Sequence, residues 1–172
     1  MTAAPERRTV VVRRARPDDG PAIREIGHAA WRQTYVALIG EAAVEAFLAK
    51  AYTPERVALR IERHDTFVAG FDGGDQSGVD AFVQALHEDD HAHIAAFYTR
   101  PDARGQGLGT ALLARVVATY PLLDISADVL VGNALGEPFY VARGFEPAQL
   151  LDEDLGGVTI RERRWWLRAD RG

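Results

Sequence analysis

A chain of 172 residues with 47% apolar and 26% charged side chains has the make-up of one globular domain that buries its own core. It holds no cysteine, which excludes disulfides, thiolate metal sites and a cysteine nucleophile, and no stretch approaches the roughly 18 apolar residues of a membrane span. The formal net charge of −5 argues against nucleic acid and anionic membranes as partners. An anionic ligand would need backbone amides or a few arginines gathered at one place.

Residues 1–8 read as a flexible tip; their charges are followed by no apolar run, so they do not form a signal peptide, and a cytoplasmic protein is expected. Thr9 to Arg16 is rich in β-branched residues and reads as a strand. Asp18 or Asp19 can cap a helix whose apolar stripe runs Ile23, Ile26 and Ala30, with Trp31 and Tyr35 near its end. A second amphipathic piece carries Val44, Phe47 and Leu48, and Thr53-Pro54 opens a short helix through Val57 and Ile61. Thr66 to Phe71 and Val79 to Leu86 read as a hairpin about the turn Asp72-Gly73-Gly74-Asp75. His93 to Thr99 is a third strand of that run. A glycine-rich loop leads into a helix with Leu108, Leu112, Val116 and Val117 on its apolar face. Val129 to Val131 is a short strand, Asn133 opens a helix that stops at Gly144, and Val158 to Leu167 is a closing strand. The outline is β-α-α-β-β-β-α-β-α-β, an α/β domain over residues 1–172 with helices on both faces of a mixed sheet.

The loop Arg100 to Gly109 carries the strongest chemical signal. Glycines let the chain turn and approach a ligand without Cβ interference. The first amides of the helix that follows have no carbonyl partners, and the helix dipole adds partial positive charge there. Such a mouth suits a pyrophosphate, with Arg104 as a mobile charge beside it. A dinucleotide fold fits less well, since four strands precede the loop, and no Gly-Lys-Ser/Thr exists for a Walker A loop. A plain structural turn is the alternative.

Arg104, Gly107 and Gly109 fill the pattern Arg/Gln-x-x-Gly-x-Gly/Ala, and Asn133 to Phe145 is similar to Asn-x-x-Ala-x-x-Phe-Tyr-x-x-x-Gly-Phe. Both motifs resemble those of the GNAT N-acetyltransferase superfamily, in the right order and on a matching skeleton from Thr9 to Leu167. Gly136 stands where that family has a small alanine, and Pro138 sits inside the expected helix, which bears on the pose of Tyr140. The resemblance implies a mostly antiparallel twisted sheet and acetyl-CoA as the cofactor. It implies a cofactor site built from Phe97, Tyr98 and Thr99, from Arg104, Gly105, Gln106, Gly107, Leu108, Gly109 and Thr110, and from Asn133. It further implies direct acetyl transfer to a primary amine of a small molecule or peptide, with no covalent enzyme intermediate. A catalytically idle acyl-CoA sensor is the rival reading.

Amine acetylation requires that the acceptor lose a proton, that an oxyanion be stabilised and that the departing thiolate be protonated. The resemblance gives Tyr140 as general acid, against simple packing of Phe139 and Tyr140 on the sheet. It gives a main-chain amide near Phe97 to Thr99 as oxyanion donor. Asn133 would contact the pantetheine chain or cap its helix, or both. His93 stands where relatives place a glutamate base, and period two puts His91, His93, Ala95 and Phe97 on one face; ending the strand at the surface is the other reading. Trp31 and Tyr35 lie where relatives form the acceptor pocket, though aromatics there also serve as core. His87 to His93 reads as a solvated turn rather than a metal site, and Arg161 to Arg168 as a strand whose charges protect a sheet edge rather than a nucleic-acid patch. Arg143 stays open between a cofactor phosphate and solvent. Homodimerisation is common among relatives, and no residue here specifies it.

Overall fold

The computed structural model describes residues 8–73 and 78–170. The chain runs β1 (Val10–Arg14), α1 (Gly20–Ile39), α2 (Glu41–Ala51), α3 (Pro54–Arg63), β2 (Asp65–Phe71), β3 (Ala81–His87), β4 (His91–Thr99), α4 (Leu108–Thr119), β5 (Asp124–Leu130), α5 (Gly136–Val141), β6 (Glu146–Leu155) and β7 (Val158–Leu167). The seven strands form one sheet in the order β1-β2-β3-β4-β5-β7-β6. Only β4 and β5 run parallel; every other pair is antiparallel.

Two apolar layers hold the helices to the sheet. On one face Ile23, Ile26 and Trp31 of α1, Val44 and Leu48 of α2, and Val57 and Ile61 of α3 pack on Val68, Phe82 and Ala96. On the other face Leu108, Leu112 and Val116 of α4 and Tyr140 of α5 pack on Ala69, Val83, Ile94 and Ala127. Alternating side chains along β2, β3 and β4 supply both layers at once, while β5 adds Ile125, Ala127 and Val129 to the α4 layer alone.

Several expectations need correction. Asp19 does not cap α1 with its side chain. It reaches back to accept from the Arg16 amide at 2.7 Å and pairs with Arg13 at 2.7 Å, so it tethers β1 to the turn before the helix. The expected strand at Val129 to Val131 is β5 beginning five residues earlier, with Ile125, Ala127 and Val129 on the α4 side. Val131 lies beyond it in a turn and is 43% exposed. Strand β6 was missed altogether. It pairs with β7 through a turn at Gly156 and Gly157, both with positive φ (63° and 89°), a dipeptide signal for a hairpin. With β6 outermost, β7 is interior, so its arginines do not guard an edge: Arg161 pairs with Asp152, Arg164 with Asp128 and Arg168 with Asp124. The helix expected from Asn133 starts at Gly136, which leaves Pro138 in its first turn, where no intrahelical amide is needed. The expected hairpin turn falls partly on residues 74–77, and the expected flexible tip mostly on residues 1–7, both outside the described residues.

Candidate active site

Strands β4 and β5 stay together only from His91 with Asp124 to Ile94 with Ala127. Beyond Ile94 they part. The same point carries a bulge, because Gln84 of β3 faces Ala96 and Ala85 faces Ile94, leaving Ala95 as the extra residue. An extra residue bends its strand, and here it bends β4 away from β5. The Arg100 amide donates to the Asp80 carbonyl at 2.7 Å on the β3 side. Main-chain groups alternate along a strand, so Thr99 and Phe97 direct theirs into the split.

Next to the split, the loop after β4 delivers the mouth of α4. Gly105 and Gly107 have φ of 73° and 90°, which non-glycine residues avoid, and Gly107 precedes the helix with no side-chain cap. Gly109 is needed for another reason: a Cβ there would come within 3.0 Å of the Phe139 ring. Across the groove, Asn133 Oδ1 accepts from the Leu135 and Gly136 amides at 3.0 Å, while its Nδ2 donates to the Tyr35 hydroxyl at 3.3 Å. Asn133 thus both sets the entry to α5 and ties α5 to α1. Together these elements enclose a groove of about 300 Å³ lined by Phe97, Tyr98, Thr99, Arg104, Gly105, Gly107, Asn133, Tyr140 and Arg143, among others.

The groove thus joins uncapped helix amides to a split parallel pair. Residues 24–145 match the acetyltransferase (GNAT) family. The chain belongs to the GNAT acetyltransferase family. It is therefore an acetyltransferase that uses acetyl-CoA. Among solved structures, the GCN5-related N-acetyltransferase of Rhodopseudomonas palustris superposes with a TM-score of 0.76 at 23% identity, over 94% of this chain and 96% of that one. The PaiA N-acetyltransferase of Thermoplasma acidophilum, in complex with coenzyme A, gives 0.72 at 21% identity, over 90% and 98%. NAA60 of Arabidopsis thaliana, in complex with a bisubstrate analogue, gives 0.72 at 14% identity, over 95% and 100%. At such identities the likeness speaks for the fold alone. No curated protein matches by sequence.

The residues present fit the GNAT cofactor. The free amides at Gly107 to Thr110 and two arginines can hold the diphosphate, and the open main chain at Phe97 and Thr99 can pair with pantetheine as an added strand. Arg104 donates to Gln33 of α1 at 2.7 Å, and burial lowers its pKa from the usual arginine value. Arg143 settles on the groove side: it donates to the Thr110 hydroxyl at 2.6 Å and the Phe139 carbonyl at 2.9 Å, with its guanidinium 3.7 Å above the Phe139 ring. The Gln106 side chain turns back to the Asp102 carbonyl at 3.4 Å, outside the groove lining.

Tyr140 is buried, and burial pushes its phenol well above the usual value, with Tyr35 and Asp128 adding in the same direction. It therefore stays protonated across the neutral range, as a proton donor must.

A second cavity of about 390 Å³ opens on the α1–α3 face. Tyr35 and Tyr98 border both spaces, so the two meet at these rings. One wall is aromatic: Trp31 stacks on Phe47 with centroids 3.8 Å apart and lies 4.4 Å from Tyr35, with Tyr52 and Tyr98 beside them. The opposite wall is polar, with His93, Asp128, Glu153 and Glu162. Trp31 thus borders this cavity and not the cofactor groove.

His93 does not share a face with Phe97. The bulge at Ala95 shifts the alternation, so His93 falls with Ala96 and Tyr98 while Phe97 points to α4 and α5, edge-on to Phe139 at 5.2 Å. His93 Nδ1 lies 2.8 Å from the Ser126 hydroxyl and Nε2 4.0 Å from Asp128. Burial lowers its pKa below the usual imidazole value, although Asp128 opposes this, so the ring is neutral at pH 7. The neighbouring His91 contacts Asp90 at 2.8 Å and rests against Trp166. Sequence reasoning missed Asp128, Glu153 and Glu162. The one available signal was alternation in the Arg161 to Arg164 run, which sends Glu162 and Arg164 to the same face.

Proposed function

We propose that the protein is an N-acetyltransferase that passes an acetyl group directly from acetyl-CoA to a primary amine of a small molecule or peptide seated in the second cavity. The carrying observation is the junction of two cavities at Tyr35 and Tyr98, beside a strand whose main-chain groups at Phe97 and Thr99 face the split. An idle sensor has no need of the second space. One sheet continuous from β1 to β6 supports reading the whole chain as one acetyltransferase domain.

Bound acetyl-CoA supplies the thioester carbonyl. The Phe97 amide, already directed into the split, donates to the oxygen of that carbonyl as charge builds on it. Tyr140 holds a proton near the sulfur position and delivers it to the departing thiolate over a short hydrogen bond. Asn133 fixes Tyr35 and the start of α5, so it keeps Tyr140 and the α1 aromatics in register. Trp31 and Tyr35 form the aromatic wall against the acceptor. His93, one pair before the split, reaches the acceptor nitrogen only through water. The test is release of free thiol from acetyl-CoA across a panel of primary amines, wild type against Tyr140→Phe. Acceptor-dependent release that drops in the variant is expected; release without any acceptor dependence would refute the assignment.

A further inference from the structure

Glu162 of β7 pairs with Leu130 of β5, three residues past Ala127, the last β5 residue joined to β4. It therefore stands level with the open part of the split. Its face of β7 also carries Arg164 and Ile160, the face that borders the second cavity. On β6, Glu153 pairs with Ile160 and so lies diagonal to Glu162, within side-chain reach, where its charge works against ionisation of Glu162. Asp128 of β5 is next in the row, but Arg164 already grips both of its oxygens at 2.7 and 2.8 Å. No lysine or arginine lies at ion-pair distance from Glu162 or Glu153 among the described residues. From the helical side the groups facing this pair are Tyr35 of α1 and, further along the cavity, Arg60 and His64 of α3. Half-buried Glu162, next to the exposed Glu153 and with no cation at ion-pair distance, faces a cavity with an aromatic wall and lacks a positive partner that a substrate can supply.

We propose that Glu162, supported by Glu153, binds the ammonium of the acceptor and accepts its proton, and that the acceptor is accordingly a primary ammonium carried on an apolar or aromatic body. This rests on the acetyltransferase reading and adds a base and a substrate class to it. The ammonium gives one proton to the Glu162 carboxylate. The freed nitrogen lone pair forms the new bond to the acetyl carbon. The carbon–sulfur bond breaks with its electrons going to sulfur, which takes the Tyr140 proton. The phenolate recovers a proton from the same nitrogen through water, and Glu162 returns its own to solvent. One ammonium and one thioester thus yield one amide, one thiol and one proton. Burial, Asp128 and Glu153 push the Glu162 carboxyl up to about 7, while Arg164 opposes, so the group changes charge where it must act.

The test uses 2-phenylethylamine and full-length protein. In the wild type, kcat/KM rises with pH along a limb near 7. Glu162→Gln lowers kcat by about 10²–10³ and removes that limb, Glu162→Asp recovers part of it, and Glu153→Gln moves the limb to lower pH by removing a neighbouring acid. A second measurement needs no turnover: calorimetric binding of the amine to the coenzyme A complex at pH 7, in two buffers of different ionisation enthalpy. The wild type releases roughly half a proton as the ammonium fixes Glu162 in its charged form, and Glu162→Gln releases none and binds at least tenfold more weakly. A Glu162→Gln enzyme with kcat within about threefold and an unmoved limb would overturn the proposal and leave the role to His93. Binding without proton release would overturn it as well. Failure of the underlying reading looks different: no affinity for coenzyme A in the wild type.

Discussion

Replacing Gly107 separates what its backbone does from what its position does. The residue sits at φ 90°, ψ −2° just before α4, and a Cβ there would meet nothing within 4 Å. Gly107→Ala therefore costs only the left-handed backbone penalty, about 1–2 kcal/mol, or a fall of roughly 2–8 °C in Tm for a chain of this size. The amides of the first turn remain in place, so coenzyme A affinity falls less than about tenfold. Gly107→Asp carries a smaller backbone penalty, since aspartate tolerates this region better than alanine. A carboxylate there would repel the diphosphate, and a separation of about 6 Å serves to size the effect. At an effective dielectric constant near 20 that repulsion is about 3 kcal/mol per phosphate charge, a loss of at least ~100-fold in affinity. Calorimetric titration with coenzyme A and thermal unfolding of both variants check this, and the aspartate penalty should shrink in about 1 M salt, where the Debye length is about 3 Å. Equal coenzyme A affinities for the two variants would refute the placement of the diphosphate at this helix mouth.

Tyr140→Phe should lower kcat by about 10²–10³ while coenzyme A affinity and Tm hold, because no hydrogen bond to its hydroxyl is present among the described residues. Arg143→Ala removes a cation held at the groove by Thr110 and Phe139, and calorimetry should show coenzyme A binding weakened about tenfold. Asp19 loses some ionisation to burial, but Arg13 and the Arg16 amide more than offset this, so its pKa is lowered on folding. Its contribution is complete above the unfolded carboxyl range and fades as pH falls below about 4; Asp19→Asn should cost about 2–3 kcal/mol at pH 7, with the gap closing in acid denaturation curves. Glu162 has the opposite sign. Its pKa is raised to about 7, so the folded state binds more protons and stability declines as pH rises from about 4.5 to 7. Glu162→Gln should raise Tm at pH 8 more than at pH 5.

Much of the scaffold was readable because it depends on local chemistry. Thr53 capping α3 by accepting from the Arg56 amide, the apolar stripe of α4 and the positive-φ glycines of the loop are each set by a few adjacent residues. Strand β6 was not readable in the same way. Its sequence Glu146 to Leu155 carries a proline and four acids, and one partner strand alone makes it a strand. The face of His93 failed for a similar reason, since a bulge at Ala95 is a property of the β3–β4 pairing, and one inserted residue inverts every side chain beyond it.

The sequence by itself pointed to the family and its cofactor through two motifs that resemble those of GNAT enzymes, and it marked the loop proposed for the diphosphate, because glycine torsions and free helix amides are local properties. Only the tertiary structure decided what lines the second cavity, the proposed acceptor site. Trp31 and Phe47 come from two helices, and Asp128, Glu153 and Glu162 from three strands, with pairing register alone bringing them to one cavity. The raised pKa of Glu162 follows from burial and from its acidic neighbours, and neither exists until the sheet has closed.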